Sequence, residues 1–160
     1  SAQNLMDPDL VRFIVETAEI ENVPLTGVVF EVTETLMIEN FGIVVDNLNR
    51  LASTGCSIAL DDFGTGYSSL AYLSRLPIHE LKIDNSFVRQ MLASNSDYRI
   101  VENTVKLARA LGIQTVAEGV EDAQTLGVLT QLGCDRVQGY HLGRPMHLKS
   151  FEEWALRKAG

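Results

Sequence analysis

Basic residues are scarce in this chain. Lys and Arg number 13 against 21 Asp and Glu, a formal net charge of −8. That balance disfavours binding to nucleic-acid polymers or to anionic membranes, which relies on Lys and Arg neutralising phosphates. A small phosphorylated ligand stays compatible if cations bridge it to carboxylates. Cysteine is scarcer still: Cys56 in "TGCSIAL" and Cys134 in "LGCDRV" are isolated, without metal-ligand spacing, and make no disulfide framework. Both are expected to be reduced, partly buried packing residues of a cytoplasmic protein. His79, His141 and His147 do not group, and no Cys–His or Ser–His arrangement supports a side-chain nucleophile. No apolar run approaches the roughly 20 residues that span a bilayer. The first residues have neither the basic nor the apolar region of a signal peptide, so no membrane contact by this domain is expected. With only 4 Pro and no low-complexity tract, nothing argues for disorder.

What is present is an apolar content of 46% over 160 residues, enough for one domain with a substantial core. Its pattern alternates helix and strand. "DPDLVRFIVETAEIENV" (7–23) predicts a helix with Leu10, Phe13, Ile14 and Val15 on its apolar side and Asp7 or Asp9 at its N-cap. "GVVFEVTE" (27–34) reads as a strand, followed by a helix over about 39–53 that ends before Gly55. "CSIALDD" (56–62) is a second strand, then comes a short helix around 68–75 stopped by Pro77, and "HELKID" (79–84) is a third strand. "NSFVRQML" forms a short helix, and a longer one over about 97–111 takes Asp97 as cap and Gly112 as stop. Strands at 113–121 and 135–140 flank a helix at 122–132, and "LKSFEEWALRKA" closes the chain as a helix. Such alternation implies parallel strands joined by crossover helices, in an open sheet or a barrel. No Gly-rich dinucleotide loop is present, because "DDFGTG" leads with acids where a phosphate cradle needs bare amides.

Polar residues fall at the C-terminal ends of the predicted strands: Glu31 and Glu34, Asp61 and Asp62, Lys82 and Asp84, Glu118 and Glu121, and Gln138. In parallel α/β folds those ends share one edge, where active sites form. Simpler roles exist for several of them. Asp62, Asp84 and Asp122 each suit an N-cap, Glu121 a first-turn acid, and Glu34 a tie to a neighbouring amide. Lys82 is different, since "ELKID" places it inside a strand buried on both faces, where an unpaired ammonium is costly. Asp84, two residues on and on the same face, is one structural partner for it. Carboxylates crowded around one lysine repel unless a cation neutralises them. Glu31, Asp61, Asp62 and Glu118 are hard oxygen donors suited to Mg²⁺, Mn²⁺ or Ca²⁺, so the chemistry that fits is metal-assisted hydrolysis. A Schiff-base role for Lys82 is disfavoured, because the flanking acids keep it protonated.

Together "FEVTET", "ALDDFGTGYSSLAYLSRLPIHELKID", "TVAEGVE" and "VQGYHLGRP", in this order and spacing, closely resemble the EAL domain. The resemblance runs over nearly the whole chain. It implies a (β/α)₈ TIM-barrel-like fold that hydrolyses cyclic di-GMP to linear pGpG with Mg²⁺ or Mn²⁺, Ca²⁺ being inhibitory. By motif, Glu31, Asp61 and Asp62 would be metal ligands, with Asp61 bridging two ions. Lys82 would hold the attacking water, and Glu118 would be a ligand or general base. Glu121 and Gln138 would line the site beside Asp84, and Glu34 would anchor the loop after the aspartates. The family's Glu-Ala-Leu tripeptide and its Val-Asn-x-Ser strand do not occur in this sequence. The expectation is therefore an incomplete barrel of about five parallel strands, residues 1–160 forming a single partial domain, its C-terminal two-thirds. Alone it would be weakly active or inactive, or a noncatalytic receptor. Its exposed edges would be covered by a homo-oligomer or a swapped dimer. The parent chain would carry sensory or cyclase domains and in some relatives a membrane anchor.

Overall fold

The computed structural model describes residues 2–33, 41–65 and 73–159. The predicted Glu34 site and most of the predicted helix at 68–75 lie outside them. Five parallel strands form one sheet in the order β1-β2-β3-β4-β5: β1 Val29–Thr33, β2 Ser57–Phe63, β3 Glu80–Ile83, β4 Gln114–Ala117 and β5 Arg136–Val137. The described helices are α1 Ala2–Leu5, α2 Leu10–Glu21, α3 Phe41–Ser53, α4 Asn85–Gln90, α5 Asn95–Leu111, α6 Ala123–Leu132 and α7 Leu148–Ala159. Each strand is hydrogen-bonded to the next one in sequence, with no reversal of order. Because crossovers between parallel strands are right-handed as a rule, an order without reversal keeps the connecting helices on one side of the sheet, which is the winding of a barrel and not of a doubly wound sheet.

Alternation along the strands sorts their two faces. Ile58 and Leu60 of β2, and Leu81 and Ile83 of β3, are buried with Val44, Leu48 and Leu51 of α3 and Val101 and Val105 of α5 in one core. The opposite face carries Glu31, Asp61 and Lys82, since successive strand side chains point to opposite sides. The helices obey their ends. Gly112 and Gly133 close α5 and α6 in left-handed conformations, and Asp84 and Asp122 cap α4 and α6 by accepting the amides of Ser86 and Thr125.

Four expectations are corrected. Helix α5 begins two residues earlier, with Ser94 accepting the amide of Asp97. A serine hydroxyl on extended backbone makes the better cap, and Asp97 becomes a first-turn acid. Asp9 does stand at the N-cap of α2, but its side chain makes no capping bond. In the same helix Val11 is buried while Phe13 is 65% exposed, because among the described elements α3 packs against only one face of α2. The strands are also shorter than their apolar patterns suggest. Residues at 118–121 and 138–140 leave the sheet as loops, although Gln138 N–H still donates to Ala117 O (2.8 Å) and Val120 N–H to Gln138 O (3.0 Å).

At the opposite, N-terminal edge, Asp135 ties β4 to β5. Its Oδ2 accepts from both the amide and the hydroxyl of buried Thr115 at 2.8 Å, and its own amide donates back to Thr115 Oγ1 at 3.0 Å. The Thr115 amide bond holds the Asp135 carboxyl below its ordinary pKa, ahead of the opposing effect of burial. A depressed folded-state pKa contributes stability above the unfolded value of about 3.9 and loses it as pH falls through the folded value. With its hydrogen bonds to Thr115 discounted for the exposure of Asp135, Asp135→Asn is expected to cost at most about 1 kcal/mol at pH 7, a cost that vanishes in acid below that window. Urea midpoints at a series of pH values check it; a cost independent of pH would contradict this assignment.

Candidate active site

Register explains how separate segments reach one point. Glu31 pairs with Ala59, Thr33 with Asp61, and Lys82 with Val116, so Glu118 falls two residues beyond the partner of Lys82 and on its face. Between β2 and β3 the register slips: Leu60 pairs with Leu81 and Phe63 with Ile83, leaving Asp61 and Asp62 opposite the single residue Lys82. This is a β-bulge, and Asp62 takes the left-handed conformation (φ 56°) that makes it. Asp tolerates that region better than most residues, and such strain gathers at functional sites. The adjacent aspartates of the sequence are thus the two bulged residues.

Lys82 Nζ donates to Glu31 Oε1 at 2.9 Å, Asp61 Oδ1 at 3.0 Å and Glu118 Oε1 at 2.9 Å. The lysine side chain is 8% exposed, those of Asp61 and Glu118 about a fifth, and that of Glu31 about half. Burial by itself would lower the pKa of the ammonium. Bonds to Glu118, Glu31 and Asp61 outweigh burial and hold the pKa above its ordinary value. An amine held charged in this way is no nucleophile, which counts against Schiff-base chemistry. Burial, then the charges of Asp61 and Asp84, push the Asp62 carboxyl up, against the pull of Lys82.

Asp84, expected as a partner of Lys82, instead caps α4, bonding the amide and hydroxyl of Ser86. The lysine is already saturated by three carboxylates from β1, β2 and the loop after β4. Glu121 and Gln138 meet Glu118 around a pocket of about 240 Å³. Sequence reading missed further members of it, among them Asn85 and Arg89 of α4, and Arg89 binds Glu121 at 2.7 Å. The available signal was their place just after β3, in the helix that opens at the same sheet edge.

Among the described residues no three His, Cys, Asp or Glu side chains are grouped to hold a metal ion. The donor chemistry nonetheless fits a hard divalent cation, since each of the three carboxylates engages Lys82 through one oxygen and retains another.

The family model of the EAL domain matches residues 1–145. This chain belongs to the EAL domain family. The cyclic di-GMP phosphodiesterase NbdA of Pseudomonas aeruginosa is 40% identical over 153 residues, covering 96% of this EAL chain and 20% of the relative. The MucR phosphodiesterase of the same organism, solved with cyclic di-GMP, superposes with a TM-score of 0.90 at 38% identity, over 94% of this chain and 61% of that one. A complex of Klebsiella pneumoniae BlrP1 with manganese and cyclic di-GMP matches with a TM-score of 0.80 at 34% identity, over 87% of this chain and 36% of that one. The EAL chain thus spans about a fifth to a third of the length of the curated relatives it matches. No helix among its described residues is long and apolar enough to cross a membrane.

Proposed function

We propose that this chain forms the C-terminal two-thirds of an EAL barrel whose complete site hydrolyses cyclic di-GMP to linear pGpG. The observation that carries the reading is the convergence of Glu31, Asp61 and Glu118, from three segments of the chain, on the buried Lys82. Phosphodiesterase relatives and neighbours bound to cyclic di-GMP support it. Glu31, Asp61, Asp62 and Glu118 would hold Mg²⁺ or Mn²⁺. Bound there, the cations would supply charge neutralisation at phosphoryl oxygens and a water of lowered pKa. Lys82, with its three donors, would orient the attacking water by giving it one of them. Glu118, the carboxylate shared by the lysine cluster and the pocket, would take the proton. Glu121, Gln138 and Asp84 would line the substrate side, and Glu34 would anchor the loop after the aspartates.

A receptor that binds cyclic di-GMP without turnover is the second reading. It is favoured by the acid cluster being already occupied by an ammonium. The exposed edge strand β1, with Val29 open to solvent, and exposed Leu148 and Phe151 of α7 support a second copy or swapped element as cover. Free Cys56 and Cys134 support a cytoplasmic location. Parent sensory or cyclase domains remain part of the proposal.

The test is turnover of cyclic di-GMP with Mg²⁺ or Mn²⁺, followed as pGpG by chromatography. This chain alone is expected to be slow or silent. With the strand bearing the family's Glu-Ala-Leu tripeptide restored, turnover should emerge and disappear again in Lys82→Ala. A restored barrel that binds cyclic di-GMP and leaves it intact would make the receptor reading correct.

A further inference from the structure

We infer that Lys82 is the chain's built-in counter-ion for its acid cluster, and that a divalent cation binds by competing with the ammonium for Glu31, Asp61 and Glu118. The inference rests on the reading that these carboxylates hold the cations of a phosphodiesterase, and it adds a sign to their affinity. An ammonium has three donors and no acceptor, and here each donor is spent on a different carboxylate at 2.9–3.0 Å. The lysine backbone is fixed in β3 between Leu81 and Ile83, both fully buried, so the charge has little freedom to withdraw. A cation using the same carboxylates would meet the positive charge they already hold, and would have to displace at least one ammonium contact. Glu31 is the contact most open to exchange, because half of its side chain is exposed while those of Asp61 and Glu118 are largely covered. Lys82 therefore keeps the cluster assembled before cations arrive, and weakens their binding when they do.

The experiment titrates Mn²⁺ into the EDTA-treated chain, reading free Mn²⁺ by electron paramagnetic resonance, for wild type, Lys82→Met, Lys82→Arg and Asp61→Asn. Lys82→Met is expected to bind Mn²⁺ about tenfold or more tightly than wild type, because a like charge is removed from beside the site. Lys82→Arg, which keeps the charge, should bind no more tightly than wild type. Equal or weaker binding by Lys82→Met overturns the inference while leaving the cation site standing, provided Asp61→Asn weakens Mn²⁺. If Asp61→Asn binds as well as wild type, the site reading and the inference fall together. A second measurement needs no variant at position 82. In ¹⁵N-lysine-labelled wild type, the protected ammonium signal of Lys82 should shift or broaden as Mg²⁺ is added, and a signal unmoved at saturating Mg²⁺ overturns the competition.

Discussion

Without divalent cations, Lys82→Met is expected to lower folding stability by about 2–4 kcal/mol, somewhat less than the roughly 3–5 kcal/mol typical of removing one partner of a fully buried ion pair. Methionine retains the apolar stem that packs in β3, so the lost packing is small. The cost comes from Glu31, Asp61 and Glu118, which then converge with no positive charge among them. Glu31 is half exposed and rehydrates readily, so its share is discounted for solvent screening. Asp61 and Glu118 have less access to water and carry most of the penalty. Urea unfolding in EDTA measures the effect, which corresponds to roughly 2–4 °C of melting temperature per kcal/mol in a chain of this size. A variant within about 0.5 kcal/mol of wild type would mean that the carboxylates rearrange and hydrate at little cost.

Gly139→Ala is expected to be at least as damaging, through sterics and not charge. A Cβ at Gly139 would lie 2.2 Å from Val120 O, 2.3 Å from Val120 N and 2.7 Å from Val120 C. All three are backbone atoms, so no side-chain rotation relieves the clash. Val120 is fully buried, its amide donates to Gln138 O at 3.0 Å, and its carbonyl accepts from His141 N–H at 3.0 Å. The segment that would have to move joins Glu118 to Glu121. Overpacking of a core costs about 1–3 kcal/mol where side chains can yield, and this site should reach or exceed the upper value. A restored barrel carrying Gly139→Ala should also lose about 100-fold in turnover, as expected for an ångström-scale misplacement of Glu118. Gly127→Ala in α6 is the control: its Cβ meets nothing within 4 Å, and it should gain up to about 1 kcal/mol from helix propensity. Thermal melts of the two variants decide the matter; similar melting temperatures would defeat the argument.

Much of this architecture was legible before any coordinates. Strands and helices alternate where apolar runs alternate with amphipathic ones, because burial on two faces or one leaves a local signature. Gly112 as a helix stop and Asp84 and Asp122 as caps followed from backbone chemistry that acts within a few residues. Phe13 was misread, because periodicity marks an apolar face without saying which neighbour covers it. Arg89 escaped notice, because a surface-type residue in a short helix gives no local sign of a partner 32 positions away, at Glu121.

The sequence by itself determined the family, the parallel α/β class and the edge at which the acids collect, since strand polarity and motif spacing are properties of the chain in order. It also determined that Lys82 needed a carboxylate partner, because a buried ammonium is too costly alone. Only the tertiary structure decided which carboxylates those are. Asp84, the neighbour two residues away, turns to cap α4, while Glu31, 51 residues before Lys82, and Glu118, 36 residues after it, close on the ammonium. The reason is register: pairing among parallel strands and one bulge at Asp61–Asp62 set which side chains share a face, and register is specified between strands and not within any one of them.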